Sequence, residues 1–147
     1  MYSHLLVPVD GTELSERAAQ ASLELARKLG ARITGFVAEP MPPLPTMAAN
    51  MTAYQRDTDA HQARTDQHAH DVLAKFAAKA AEQGVAFAGH FQRSDSVDDA
   101  IVKAAAEFEC DLIVMVTHGR GAFGELLFGS HTKNVLSRCK VPLLVLH

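Results

Sequence analysis

The sequence predicts an α/β fold: one domain built on an open parallel five-stranded sheet with helices on both faces. Two observations predict it. Short apolar runs alternate along the chain with stretches whose apolar residues recur every three to four positions, the signature of strand–helix alternation. The runs are also apolar throughout, as strands covered on both faces are. Five such runs and four helical stretches fit within 147 residues as a single domain, residues 1–147.

The elements follow in order. Residues 4–9 (HLLVPV) form a first strand that stops at Asp10-Gly11, a turn signal. Leu14, Ala18, Ala21, Leu25 and Leu29 then recur at helical spacing among Glu13, Glu16, Arg17, Glu24 and Arg27, and Gly30 closes that helix with a left-handed cap. Residues 31–38 (ARITGFVA) read as a second strand. Between residues 40 and 52 lie four prolines in six positions, which excludes a helix interior or a central strand and predicts a surface loop. A long helix is expected over residues 54–83, burying Val72, Leu73, Phe76, Ala77 and Ala80 in its second half and ending at Gly84. Residues 85–91 make a third strand. Ser96 and Asp99 have the spacing of a capping box for a helix whose stripe is Val97, Ile101, Ala104, Ala105 and Phe108. A fourth strand covers 111–116, a last helix 132–138 and a last strand 141–146.

Composition narrows the function. A formal charge of −3 gives no electrostatic case for nucleic acid or an anionic membrane as partner. No apolar run approaches the roughly 20 residues that span a bilayer, and MYSHLLVPVD lacks the basic start of a signal peptide. Cys110 and Cys139 follow no CxxC or zinc spacing, so they read as reduced thiols of a soluble cytoplasmic protein.

The chemistry is concentrated in THGRGAFGELLFGSHTKNVL, residues 117–136, which holds four of the nine glycines. In a Rossmann-like order 3-2-1-4-5, strands one and four are neighbours where the strand order reverses, and ligands bind beyond their carboxyl ends. Glycines there let backbone approach a ligand, and the helix after Ser130 points its positive end at it, which favours phosphate. Tight turns alone are the competing explanation. A Walker loop is absent, and the GxGxxG match at Gly119, Gly121 and Gly124 follows the fourth strand without the helix that fingerprint needs.

HLLVPVDGTELSERAAQ, LARKLGARITGFVAEP, DLIVMVTHGRG and FGSHTKNVLSRCKVPLLVLH, in this order, resemble the universal stress protein family from end to end, with Thr12 where serine is commoner. Nucleotide-binding members carry Gly-x-x-Gly, nine residues, then Gly-Ser/Thr. Gly119 and Gly129-Ser130 match, while Val116 replaces the first glycine. The resemblance implies binding of ATP or another adenine nucleotide, with or without Mg2+. Pro8 and Val9 would line the base pocket, and the Val37 main chain would meet the adenine edge. Asp10 would lie near the ribose or a divalent ion. Gly119, Gly129, Ser130 and His131 would hold the phosphates through backbone N–H groups. Arg120, outside the family motif, would be a mobile cation over the phosphates. The resemblance also implies a homodimer through the last strand, and the apolar VPLLVLH would otherwise be an exposed edge.

Two other readings stay open at this stage: slow ATP hydrolysis at the same site, and a protein that binds no nucleotide and acts through protein contacts. Hydrolysis has only Asp10, His118, His131 and Arg120 to draw on, so dedicated catalysis is not expected. His61, His68 and His70, with Asp57 and Asp66 at i, i+4 spacing, permit a surface metal site but read better as a solvated helix face. Met41, Met47 and Met51 offer either an apolar lid or ordinary packing.

Overall fold

The computed structural model describes residues 1–47, 50–116 and 130–147. Among these, the elements run β1 (His4–Pro8), α1 (Glu13–Leu29), β2 (Arg32–Glu39), α2 (Met51–Glu82), β3 (Phe87–Arg93), α3 (Val97–Glu107), β4 (Leu112–Val116), α4 (Ser130–Arg138) and β5 (Leu143–Leu146). The strands form one sheet in the order β3-β2-β1-β4-β5, with every pairing parallel, as predicted. No helix of the described residues is long and apolar enough to cross a membrane.

Alternation of side chains across the sheet divides the core in two. Leu5, Val7, Ile33, Val37, Leu112 and Val114 face α1 and α2, where they meet Leu23, Ala26, Leu73 and Phe76. Leu6, Phe36, Ile113 and Met115 face α3 and α4, against Ile101, Ala104 and Val135. The β1 and β4 strands are centred in the sheet, and their carboxyl ends open between these two helical layers.

Several boundaries move, each for a local reason. The second helix begins at Met51 instead of 54 because Asn50 caps it, its Oδ1 accepting from the amides of Thr52 (2.9 Å) and Ala53 (3.4 Å). The third strand begins at Phe87 instead of 85. Gly84 turns left-handed at φ +69°, and the Val85 amide is taken by the Ala80 carbonyl at 2.9 Å, closing the helix and not the sheet. The last strand starts at Leu143, since Pro142 has no N–H for the ladder.

In α1 the buried stripe is rotated from the one expected. Ser15, Ala18, Ala19, Ser22, Leu23 and Ala26 face the sheet, while Leu29 is exposed and Leu14, Ala21 and Leu25 are half-buried. Small residues bring the helix close to β1 and β4, and the Ser22 hydroxyl is satisfied internally by the Ala18 carbonyl at 2.7 Å. Burial pushes the Cys110 thiol up to about 11, and both it and Cys139 are free.

Candidate functional site

At the carboxyl ends of β1, β2 and β4 lies a cleft of about 280 Å³ on the α3/α4 side of the sheet. Pro8, Val9, Asp10 and Thr12 form the β1 wall, Phe36 and Ala38 the β2 wall, and Met115 and Val116 the β4 wall. Val97 and Ile101 of α3 close one side, and Thr132, in the first turn of α4, stands at another edge. Most of this lining is apolar. The polar groups collect where β1 gives way to α1 and where α4 begins.

The β1–α1 turn is held by a closed set of short-range hydrogen bonds. Asp10 Oδ1 accepts from the Thr12 amide (2.9 Å) and the Thr12 hydroxyl (2.6 Å). Thr12 caps α1 by accepting from the Ser15 amide at 3.3 Å. The buried Ser15 hydroxyl accepts from the amides of Asp10 (3.2 Å) and Gly11 (3.1 Å) and donates to the Thr12 carbonyl (3.1 Å). Gly11 sits at φ +83°, where side chains are strained, and a Cβ there would stand 2.9 Å from Val72 Cγ2. The amides of residues 10, 11, 12 and 15 are therefore spent within the turn, and the first turn also carries Glu13 and Glu16. The first turn of α4 carries no acidic residue.

The expected site residues are placed as follows. Pro8, Val9 and Asp10 come together in the cleft. Val37 does not: its side chain is buried against α1 and α2, on the opposite face. Its main chain is also aimed elsewhere. The amide of Ile33 bonds β3's approach at Ala86 (2.9 Å), and the Glu39 carbonyl takes the Ser94 amide (2.9 Å), so positions 33, 35, 37 and 39 direct their backbone groups toward β3. Arg32 and Phe36 bond β1's side instead, through Ser3 (3.0 Å) and Val9 (2.8 Å), and Ala38 follows them. Ala38, not Val37, is the β2 residue beyond Phe36 that lines the cleft. Val116 is half-buried in the wall, level with Leu146 of β5, and the cleft stays open beside it. Ser130 and His131 open α4. Gly119, Arg120, Gly129 and His118, with the side chains of Ser130 and His131, lie outside the described residues.

Phe36, Ala38, Met115, Ile101, Thr132 and Ser15 line the cleft without being expected there from the sequence. Strand parity held the signal for the first three: Phe36 and Ala38 share the face of Leu6 and Pro8, and Met115 that of Ile113.

The chain matches the universal stress protein family across residues 1–147. It belongs to that family. A universal stress protein of Methanocaldococcus jannaschii is 25% identical over 146 residues, covering 99% of this chain and 82% of the relative. Among solved structures, a universal stress protein in complex with cAMP superimposes with a TM-score of 0.71 at 21% identity, covering 99% of this chain and 97% of that one. One from Archaeoglobus fulgidus in complex with dAMP gives 0.62 at 19% identity, covering 99% and 98%.

The α2 histidines of this universal stress protein do not converge. His61 Nε2 lies 3.3 Å from the Pro40 carbonyl, and His70 packs edge-on to Phe91. Asp66 pairs with Arg93. Among the described residues no group of three or more His, Cys, Asp or Glu could hold a metal ion. His68 departs from the solvated face expected of it. Its Nδ1 is 2.6 Å from Oε1 of Glu39, whose side chain is only 6% exposed at the end of β2. That hydrogen bond raises the His68 pKa above 6.5, and the Glu39 charge and the Asp10 main chain add to the effect against partial desolvation.

Proposed function

We propose that this universal stress protein is an adenine-nucleotide-binding module, with ATP as its full ligand, acting as a cytoplasmic homodimer in a stress response. One observation carries the reading: the cleft at the β1/β4 switch point joins an apolar slot to a polar end beside a helix whose first turn carries no acid. An adenine ring fits between Phe36, Met115 and Ile101, with its polar edge on the Ala38 main chain. Asp10, oriented by Thr12, faces the ribose. The phosphates run to the start of α4, where the Ser130 and His131 amides and, by the sequence motif, Gly119 and Gly129 receive them, with Arg120 as a mobile cation over them. The family structures solved with cAMP and dAMP support an adenylate in this family's fold.

A Mg2+ ion fits this arrangement as a passenger of the phosphates. Asp10 is the one carboxylate among the described cleft-lining residues, and Mg2+ commonly takes one or two carboxylates plus phosphate oxygens and water. Bound there, it would neutralise phosphate charge. The dimer is proposed through β5, an edge strand whose Leu144 is 36% exposed.

Mass spectrometry of the denatured purified protein tests the reading by identifying co-purified adenine nucleotide, with titration calorimetry using ATP and Mg2+ as the quantitative form. Gly129→Val is expected to abolish retention. Unchanged ATP binding in that variant, or no heat from any adenylate in the wild type, would overturn the proposal. Light scattering is expected to show a dimer, not a monomer of 15.9 kDa.

A further inference from the structure

His68 lies outside the cleft, on α2, yet it touches the end of β2 and the turn that follows β1, two of the three strands whose ends build the site. Its Nδ1 meets Glu39 Oε1 at 2.6 Å, at the last residue of β2 and next to cleft-lining Ala38. Its Nε2 lies 3.3 Å from the point a Cβ on Gly11 would occupy, so the ring's other edge rests on the Asp10–Gly11 turn. The turn leaves room for it because position 11 is glycine. Neighbouring Val72, one turn further along α2, would be 2.9 Å from the same Cβ and holds the turn from a second side. Glu39 is buried and Asp10 exposed, so the imidazole ties a fixed point of the sheet to a surface turn.

We infer that His68 is a positioning residue of the nucleotide site: from α2 it braces the Asp10–Gly11 turn against Glu39 and so sets where the Asp10 carboxylate stands. This deepens the adenine-nucleotide reading and depends on it for its effect on affinity, though not for its effect on the turn. Short-range bonds within residues 10–15 fix the turn's internal shape, whereas His68 fixes that shape relative to β2, and hence relative to the wall that would hold the base. A side chain that supports a ligand-contacting group in this way acts on affinity without touching the ligand.

Two variants test it, with AMP and ATP as probes. In His68→Leu the amide resonances of Asp10, Gly11 and Thr12 are expected to move in the nucleotide-free protein, and affinity for both probes to fall about tenfold, the scale of losing one charge-assisted hydrogen bond. His68→Gln, which keeps a donor toward Glu39, is expected to restore most of the shift and most of the affinity, a rescue that simple loss of packing would not give. Glu39→Gln reaches the same brace from the other side if the leucine variant does not fold, and is expected to move the same three amides. Unmoved Asp10 and Gly11 amides in the variants would overturn the inference, as would His68→Gln being as impaired as His68→Leu. If the wild type binds neither probe, the nucleotide reading fails by itself and the amide shifts still decide the brace.

Discussion

Two helices start beside the same cleft, and their first turns are built in opposite ways. At α1, the Asp10 carboxylate, the Thr12 hydroxyl and the Ser15 hydroxyl consume the amides of residues 10, 11, 12 and 15, and Glu13 and Glu16 add negative charge. Acids in a first turn complement the helix dipole and stabilise the helix. They also close that terminus to an anion. At α4, the first turn, Ser130, His131, Thr132 and Lys133, supplies no acid. On the proposed reading the contrast gives the cleft a direction: a ligand with a neutral ring and an anionic tail would lie with the tail toward α4 and away from α1.

The most disruptive way to break this contrast is to make α4 resemble α1. Ser130→Asp puts a carboxylate where the phosphates are expected and should weaken ATP binding by about a hundredfold, about 2.7 kcal/mol by calorimetry, without lowering the melting temperature. Full ATP affinity in this variant would show that the phosphates lie elsewhere. A smaller effect, on stability, is expected from Ser15→Ala. The buried hydroxyl serves two amides and one carbonyl, and its loss should cost about 2 kcal/mol in denaturant unfolding, the scale of leaving buried polar groups unsatisfied.

Thr12→Ala sharpens the comparison further. Removing the α1 cap should cost about 1 kcal/mol, and because the same hydroxyl donates to Asp10, ATP affinity should fall as well. A pure capping role would leave affinity unchanged. The smallest effect concerns the His68–Glu39 pair. Its folded pKa is raised above 6.5, so its contribution is complete below the unfolded value and is lost as pH rises through the folded one. His68 is half exposed, so the loss is shallow. Between about pH 6 and 9 the wild type should lose slightly more melting temperature than His68→Gln, and parallel curves would contradict the pairing.

The sheet was legible in the sequence because parallel strands are short apolar blocks and each helix between them has its own period. Glycine caps were legible too, since Gly30 adopts φ +67° and Gly84 φ +69°. Strand three was misplaced by two residues because Val85, apolar and buried, serves the helix cap, and hydrophobicity alone does not separate the two uses. The α1 stripe was rotated because Ser15 and Ser22 are buried, one to organise the site's turn and the other bonded within its own helix. Pro8, Val9 and Asp10, at the end of β1, could be placed at the cleft from the sequence, whereas placing Val37 required knowing which way backbone groups alternate between β1 and β3. His68 was unreadable for a plainer reason: its partner Glu39 lies 29 residues earlier, and only the packing of α2 on the sheet brings them together.

The most direct test compares the amide spectra of the protein saturated with AMP and with ADP. The added phosphate should shift the resonances of residues 130–132 at the start of α4 and leave those of residues 13–16 at the start of α1 in place. A shift confined to residues 13–16, or no difference at either terminus, would contradict the orientation on which this account of the cleft rests.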